Sequence, residues 1–286
     1  MTPPSATLTD EQRRSLVEVA AALERDGAAV ARGVVSPDWI ELMRAAIDAE
    51  MAGASLTAAE YGREGGRFYG DFFLWRRNPS FRAFAFYSPL PELAAQMMGS
   101  RTVNLLYDQL FVKEPGSVER TPWHQDQPYW PVDGDQIVSV WVPFDPATPD
   151  NGVVTYVQGS HLWGATYRPQ AFDTRNADAF AASPYQPMPD IEAEPSKYAL
   201  LSWSLEPGDV LIHKGLTIHG AAGNRTADRR RRALAVRYTG DDARYNTRPG
   251  TFMQMASVRA NVPAPNLQDG APVGGPLFPR VRQFDP

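Results

Sequence analysis

The sequence predicts a mainly β protein, an antiparallel barrel or double-sheet roll, behind a helical N-terminal part. In the first 100 positions apolar residues recur at helical spacing. From about residue 102 onward, short segments rich in β-branched and aromatic residues alternate with Gly, Pro, Asp and Asn. The chain also has 26 Pro among 286 residues. Because Pro is costly inside helices and central strands, many loops are expected.

The N-terminal helices show clear start and stop signals. Thr9 and Gln12 form a capping box, apolar residues follow at helical spacing, and Gly27 ends the run. A second helix begins at a Ser-Pro pair and covers 36–52. Short helices are expected around 80–86 and 92–98. This region predicts a mainly helical support over residues 1–100.

Strand patterns dominate the next part of the chain. Five segments have the composition and boundaries of buried strands: 103–112, 137–144, 152–157, 208–213 and 233–238. They predict a β core over residues 102–240 within a single domain, 1–286. Residues 164–200 are polar, rich in Pro and weakly periodic. We expect this long insertion to be a lid or a substrate loop.

Composition excludes several kinds of protein. The chain has no cysteine, so disulfides, thiolate zinc sites, iron–sulfur clusters and a cysteine nucleophile are excluded. A net charge of −5 argues against a nucleic-acid partner. No stretch approaches 18 uninterrupted apolar residues and no targeting signal is visible. We therefore expect a cytoplasmic protein with no membrane partner.

The four histidines point to a metal site. His124 and Asp126 are two positions apart, so in an extended segment both side chains project to the same face. His219 follows a predicted strand, and two histidines with one carboxylate form the facial triad that binds Fe(II) and leaves coordination positions open. His213, six residues before His219, competes for the role of second histidine ligand. His161 ends a Gly-Ser-His turn and is interpreted as structural.

Four ordered segments resemble one enzyme family. They are FVKEPG at 111–116 with WHQD at 123–126; VWVP at 140–143 with DNG at 150–152; QGSH at 158–161; and GDV at 208–210 continuing through HG at 219–220 and NRT at 224–226 to RRAL at 231–234. Over residues 102–240 the chain resembles the phytanoyl-CoA dioxygenase (PhyH) family of iron(II)- and 2-oxoglutarate-dependent oxygenases. The order of the segments makes this resemblance far more specific than the His-x-Asp pair alone.

The resemblance implies a double-stranded β-helix, the cupin-like jelly roll, with iron at its open end. By motif position, His124, Asp126 and His219 match the iron ligands. O₂ and 2-oxoglutarate are the implied cosubstrates, and the far carboxylate of 2-oxoglutarate needs a cation, for which Arg is suited. The family spacing from the second histidine favours Arg230, whereas the Arg-Arg-Ala-Leu pattern favours Arg231.

We assign the 2-oxoglutarate contact to Arg231, because strand register is fixed by alternation while a loop can absorb one extra residue. Gln109 matches a position that contacts the cosubstrate or the substrate in the family, and Trp141 matches a position that walls the cosubstrate pocket. Tyr129 and Trp130 follow the iron motif closely and are the candidate substrate residues.

The resemblance implies hydroxylation of a small molecule, with succinate and CO₂ as co-products. Related halogenases carry a small residue at the carboxylate position, so Asp126 favours hydroxylation over chlorination. Desaturation, ring formation and epoxidation remain open. Two other hypotheses stay open at this point: a cupin-like metal enzyme that does not use 2-oxoglutarate, and a non-catalytic small-molecule binding protein.

Overall fold

The computed structural model of the chain describes residues 4, 7–62, 65–172, 180 and 183–284. Within these residues the chain forms five helices: α1 Asp10–Asp26, α2 Pro37–Ala52, α3 Pro79–Tyr87, α4 Leu90–Met98 and α5 Ala256–Asn261. It forms 14 strands: β1 Ala28–Ala31, β2 Ala59–Gly62, β3 Phe68–Phe72, β4 Thr102–Lys113, β5 Thr121–His124, β6 Val132–Asp133, β7 Ile137–Pro143, β8 Val154–Val157, β9 Leu200–Leu201, β10 Val210–Lys214, β11 His219–Ala221, β12 Arg231–Thr239, β13 Arg244–Tyr245 and β14 Arg280–Gln283.

Two antiparallel sheets make up the core. The larger has the order β1-β10-β7-β12-β4-β3-β2, with β14 also paired to β4. The smaller has the order β5-β11-β8-β9, and β6 pairs with β13 in a separate ribbon. Side chains from both sheets line one cavity, so the sheets face each other across it. This arrangement confirms the predicted jelly roll behind helices.

The predicted helix signals are confirmed. The Thr9 hydroxyl accepts from the Gln12 N–H and the Gln12 side chain accepts from the Thr9 N–H. Gly27 ends α1 with a left-handed φ of 81°, a conformation that favours glycine. The second helix begins at Pro37, as the Ser-Pro signal predicts.

The region 1–100 is less purely helical than the sequence indicates. β1, β2 and β3 lie within it and extend the larger sheet at both ends, β1 beside β10 and β3 beside β4. β1 is a run of four small residues, Ala-Ala-Val-Ala, with no apolar–polar alternation to reveal it. The first 100 residues therefore build part of the sheet as well as supporting it.

Alternation along β12 separates the core from the cavity. Leu234, Val236 and Tyr238 are fully buried and join the main apolar core, which also contains the inner faces of the helices. Arg231 and Ala235 point the other way and line the cavity. Burying side chains of the Leu or Val type stabilises a fold by roughly 1.5–3 kcal/mol each, so the outer face fixes the register of the cavity face.

No helix among the described residues is long and apolar enough to cross a membrane. The predicted cytoplasmic location and the absence of a nucleic-acid partner stay predictions.

Candidate metal centre

The three candidate ligands meet on the inner face of the smaller sheet. β5 and β11 are antiparallel neighbours, and His124 stands opposite His219 in their register, so the imidazoles project to one side, with ring centroids 4.1 Å apart. Asp126 follows β5 at the start of a short 3-10 turn. Its Oδ1 lies 3.5 Å from His124 Nε2 and 4.0 Å from His219 Nε2. All three side chains are buried, and their ligand atoms lie within 4.8 Å of one another.

Backbone carbonyls determine which nitrogen of each imidazole faces this cluster. His124 Nδ1 lies 2.8 Å from the Pro122 carbonyl, and His219 Nδ1 lies 2.9 Å from the Thr217 carbonyl. Because a carbonyl only accepts, each Nδ1 donates its proton and each Nε2 keeps a lone pair. Burial, followed by the neighbouring imidazoles of His124 and His213, holds the pKa of His219 well below its ordinary value. That lone pair is therefore available at neutral pH.

The second carboxylate oxygen of Asp126 contacts two donors. His213 Nε2 lies 3.2 Å from Oδ2 and Arg237 Nη2 lies 3.5 Å from it. Burial alone would favour the protonated carboxyl. The guanidinium of Arg237 and the hydrogen bond from His213 outweigh burial and hold the pKa of Asp126 well below its usual range. Asp126 is thus a carboxylate at neutral pH, with Oδ1 directed to the histidine pair.

His213 competes with His219 in the sequence, and the structure gives it a different place. It lies on β10 of the larger sheet, and its Nδ1 is 3.2 Å from the Tyr156 hydroxyl. Since an ionised carboxylate only accepts, His213 Nε2 donates to Asp126 and Nδ1 accepts from Tyr156. Both ring nitrogens of His213 are therefore engaged within the protein, while Nε2 of His124 and Nε2 of His219 face the cluster.

Arg237 is a site residue that the sequence analysis missed. It is 4% exposed, lines the cavity and stacks over the Tyr107 ring with its guanidinium carbon 4.6 Å from the centroid. One signal could have found it. Arg231 and Arg237 are six positions apart on β12, so an inward Arg231 places Arg237 on the same face.

The cavity lies between the sheets and is lined mainly by aromatic and small residues around the polar cluster. Its lining comprises Phe68, Phe111, Thr121, His124, Ser139, Trp141, Gly152, Val154, Phe172, His213, His219, Gly220, Ala221, Arg231, Ala235 and Arg237. Gly152 has a left-handed φ of 83°, and a Cβ there would stand 2.5 Å from the Ala222 carbonyl oxygen. A larger residue at this position would force the backbone of the cavity wall apart.

Arg231 and Arg230 have opposite environments. Arg231 is 2% exposed in the cavity, its guanidinium carbon is 5.5 Å from the Trp141 ring centroid, and its Nε has no hydrogen-bond partner. Among the described residues it has no ion-pair partner within 4 Å. Burial lowers its pKa to about 10, so it is charged at neutral pH. Arg230 lies on the surface in ion pairs with Asp48 and Glu114.

Lys113 connects the two strands that carry the histidine ligands. It is the register partner of Arg231 on β4 and is fully buried. Its Nζ donates to the carbonyls of Glu119 and Ala222, at 2.9 and 2.6 Å. These carbonyls precede β5 and follow β11. Burial, and then the charge of Arg231, holds the pKa of Lys113 well below its ordinary value, while the Glu119 carboxylate acts in the opposite direction.

The structure separates the two residues that were expected beside the cosubstrate. Trp141 lies next to Arg231 and lines the cavity. Gln109 is 4% exposed and contacts other partners: its Oε1 accepts from Arg237 at 3.0 Å, and its Nε2 donates to the Tyr61 hydroxyl at 3.2 Å. The cosubstrate role of both residues stays a prediction.

The two candidate substrate residues also differ. Tyr129 stands near the metal cluster, with its ring centroid 5.8 Å from that of His124. Trp130 is fully buried in the main apolar core and donates from Nε1 to the Tyr107 hydroxyl at 2.9 Å. Neither Tyr129 nor Trp130 is among the cavity-lining residues. Since its side chain points into the core, we do not propose Trp130 as a substrate residue.

The insertion at 164–200 is attached to the metal-binding loop. Gln125 accepts from the Tyr167 N–H at 2.9 Å and donates to the Ala165 carbonyl at 3.0 Å. The Phe172 ring centroid lies 4.8 Å from that of His124. Residues 173–179 and 181–182 of this insertion lie outside the described residues. A lid or substrate role for the segment stays a prediction.

The donor set fits an iron ion. Two neutral imidazole nitrogens and one carboxylate oxygen suit Fe(II), and three protein ligands leave positions for cosubstrate and O₂. The buried Arg231 fits a carboxylate, because its Nε–H has no hydrogen-bond partner and no acid among the described residues forms an ion pair with it within 4 Å.

Comparison with known proteins agrees with this geometry. The phytanoyl-CoA dioxygenase (PhyH) family matches residues 23–233. The chain belongs to this family. The matched range includes the three candidate ligands and Arg231, whereas Arg237 lies beyond its end.

Curated relatives and solved structures extend the comparison. A multifunctional dioxygenase, prhA, from Penicillium brasilianum is 25% identical over 230 residues, which is 77% of this chain and 70% of the relative. A probable phytanoyl-CoA dioxygenase from Caenorhabditis elegans is 26% identical over 175 residues, covering 59% and 54%. The epimerase SnoN in complex with Fe³⁺, α-ketoglutarate and nogalamycin RO has a TM-score of 0.74 at 21% identity, covering 94% of this chain and 100% of SnoN. EctD from S. alaskensis with 2-oxoglutarate and 5-hydroxyectoine has a TM-score of 0.67 at 20% identity, covering 89% and 83%.

The family match confirms the predicted enzyme class, an iron- and 2-oxoglutarate-dependent dioxygenase, and with it iron, 2-oxoglutarate and O₂ as the groups it uses. The two rival hypotheses, a cupin-like enzyme without 2-oxoglutarate and a non-catalytic binding protein, have no support from it.

Proposed function

We propose that this dioxygenase hydroxylates an unactivated carbon of a small-molecule substrate, with His124, Asp126 and His219 as iron ligands. Arg231 binds the far carboxylate of 2-oxoglutarate, and Trp141 forms the adjoining wall. Tyr129 faces the substrate. The observation that carries this proposal is a cluster of three ligand side chains, two of which line the cavity, together with a buried guanidinium in the same cavity that has no ion-pair partner within 4 Å among the described residues.

When bound, iron and 2-oxoglutarate supply the oxidising chemistry, with succinate and CO₂ as co-products. The protein's part is orientation and exclusion of water. The contacts of His213 and Arg237 with Oδ2 of Asp126 leave Oδ1 as the ligand oxygen, so Asp126 acts through one oxygen. Phe111 and Phe172 add apolar walls to the cavity.

A small-molecule substrate is consistent with the solved neighbours, since SnoN is described with nogalamycin RO and EctD with 5-hydroxyectoine. We propose that the insertion at 164–200 faces the substrate. Its Phe172 is close to His124, and Tyr129, which contacts Phe172 at 6.2 Å between centroids, exchanges hydrogen bonds with the backbone of Gln170.

Replacement of the carboxylate ligand tests the proposal. We expect Asp126→Ala to reduce succinate formation from 2-oxoglutarate to background, because two imidazoles alone leave the iron weakly held. Succinate release by folded, iron-supplied protein is the measurement. Asp145→Ala, which removes an acid paired with Arg232 outside the cavity, is the control and should retain turnover. Full turnover by Asp126→Ala would contradict the ligand assignment.

A further inference from the structure

A row of three polar side chains leads from the cavity mouth to the metal ligand. The Tyr61 hydroxyl accepts from Gln109 Nε2 at 3.2 Å, and Gln109 Oε1 accepts from Arg237 Nη1 at 3.0 Å. Arg237 Nη2 then stands 3.5 Å from Asp126 Oδ2. We call Tyr61, Gln109 and Arg237 the donor row. It joins strands β2, β4 and β12 on the cavity side of the larger sheet.

The donor row has more donors than acceptors. Arg237 is 4% exposed, and its Nε has no hydrogen-bond partner. Because the Tyr61 hydroxyl accepts from Gln109, its own proton is free, and no described residue accepts it. Gln109 is satisfied on both sides by its neighbours in the row. Arg237 Nε is thus a buried donor without an acceptor among the described residues, and the half-buried Tyr61 hydroxyl has a proton available to a ligand.

The two ends of the donor row line two neighbouring spaces. Arg237 lines the inner cavity with the metal cluster, whereas Tyr61 lines the open groove outside it. Phe172 lines both spaces and packs on Tyr61, with 5.7 Å between centroids. Arg231 enters the cavity six residues earlier on β12, about 20 Å away along the strand. The two guanidiniums therefore serve different parts of the cavity.

With iron and 2-oxoglutarate bound, the charges of the site sum to one net positive charge. The iron dication and the 2-oxoglutarate dianion cancel each other, so the single Asp126 carboxylate remains against two guanidiniums, those of Arg231 and Arg237. The acid nearest to Arg237 is Asp126, at 3.5 Å, which Arg237 would share with the iron. One positive charge would therefore remain in the loaded site, and an anionic substrate would neutralise it.

We propose that the donor row is a substrate-recognition subsite for a carboxylate, so that this enzyme oxidises an organic acid with an apolar body. This proposal rests on the proposed function, because it takes the neighbouring positions to be filled by iron and 2-oxoglutarate. The fork of Arg237 suits two carboxylate oxygens, and the Tyr61 hydroxyl supplies a further donor. The aromatic rings of Phe68, Phe111 and Phe172 line the space available for the apolar body.

Binding of a matched acid and amide tests the subsite. The probes are benzoate and benzamide, which share a ring and differ in charge. They are titrated by calorimetry into anaerobic protein already saturated with Fe(II) and 2-oxoglutarate, so the Arg231 site is filled. We expect benzoate to bind at least about tenfold more tightly than benzamide, and Arg237→Met to abolish that preference. Arg237→Lys should keep part of it, because the charge remains while the fork is lost.

Two further variants make the test specific. Arg230→Met makes the same chemical change on the surface and should leave the preference for benzoate intact. Tyr61→Phe removes one free donor and should weaken benzoate by about threefold to tenfold. It also keeps the test available if Arg237→Met does not fold.

The proposal is overturned if benzoate binds no better than benzamide, or if Arg237→Met leaves the preference unchanged. It is equally overturned if Arg237→Met weakens only Fe(II) binding, since Arg237 would then be a positioning residue for Asp126. The preceding 2-oxoglutarate titration in the same samples tests the proposed function separately. A failure there is therefore distinguishable from a failure of the donor row.

Discussion

The two faces of the larger sheet differ in nearly every chemical property, although they share the same strands. On the outer face Leu110, Val236 and Tyr238 are fully buried against the helices. On the cavity face the same strands present Arg231 and Arg237, with small residues between them. The outer face stabilises the fold and thereby fixes the register. The cavity face can carry uncompensated charge only because that register is fixed.

Two buried carboxylates show the same contrast. Asp126 stands on the cavity side, where Arg237 and His213 outweigh burial and its pKa is held well below its usual range. Asp108 lies on the outer face of β4, accepts from the Trp75 N–H at 3.0 Å and has no hydrogen-bond partner at Oδ1. Burial raises the pKa of Asp108 to about 7. Both carboxylates are buried, so neighbouring cations, and not the depth of burial, account for the difference between their pKa values.

Replacement of Arg231 disrupts the cavity face and leaves the outer face intact, and we expect its effect to be the greatest. Arg231→Met should weaken binding of 2-oxoglutarate to the iron-loaded protein by about a hundredfold or more, because it leaves a buried carboxylate unpaired. Equilibrium titration under anaerobic conditions measures it. Arg230→Met is the matched control and should bind 2-oxoglutarate like the wild type. If Arg230→Met showed the loss and Arg231→Met did not, the register assigned to β12 would be wrong.

Replacement of Leu110 disrupts the outer face and leaves the cavity face intact, with an intermediate effect. Leu110→Ala should lower the free energy of unfolding by about 2–5 kcal/mol, since Leu110 is fully buried and its loss leaves a cavity. Denaturant titration measures the change. Below the unfolding transition, the affinities for Fe(II) and 2-oxoglutarate should stay as in the wild type. A loss of affinity in the fully folded variant would show that the two faces are not independent.

Replacement of Asp108 tests the difference between the two buried carboxylates, and we expect its effect to be the smallest. The folded state holds a proton on Asp108 that the unfolded chain releases near pH 4. The free energy of unfolding therefore falls as pH rises from about 4 to about 7, with an upper limit of roughly 4 kcal/mol. Asp108→Asn removes this dependence. We expect it to raise stability by about 1–2 kcal/mol at pH 8, after relaxation of the site, and by less near pH 5. Thermal unfolding at the two pH values checks this, and an identical stability gain at both would contradict it.

Local patterns in the sequence were sufficient for much of the fold and part of the site. Composition and bounding turn residues marked β4, β7 and β12 as buried strands. The His-x-Asp spacing placed His124 and Asp126 on one face. The Arg-Arg-Ala-Leu pattern distinguished Arg231, now found in the cavity, from Arg230 on the surface. Each of these inferences depends on neighbours within a few residues along one strand.

Long-range contacts could not be predicted in the same way. The contact of His213 with Asp126 joins residues 87 positions apart, and that of Arg237 with Asp126 joins residues 111 apart. No local spacing encodes either contact. Trp130 was placed at the substrate cavity because it follows Asp126 closely, but the turn after Asp126 directs its ring into the core.

Anaerobic addition of Fe(II) and then 2-oxoglutarate to the wild-type protein shows directly whether the cavity face holds both groups. We expect a weak visible absorption band of the iron–cosubstrate chelate. For Arg231→Met, the same band should need a far higher concentration of 2-oxoglutarate. If Fe(II) binds with the expected affinity and no band forms at any concentration of 2-oxoglutarate, the jelly-roll metal site stands and its assignment as a 2-oxoglutarate-dependent centre is contradicted.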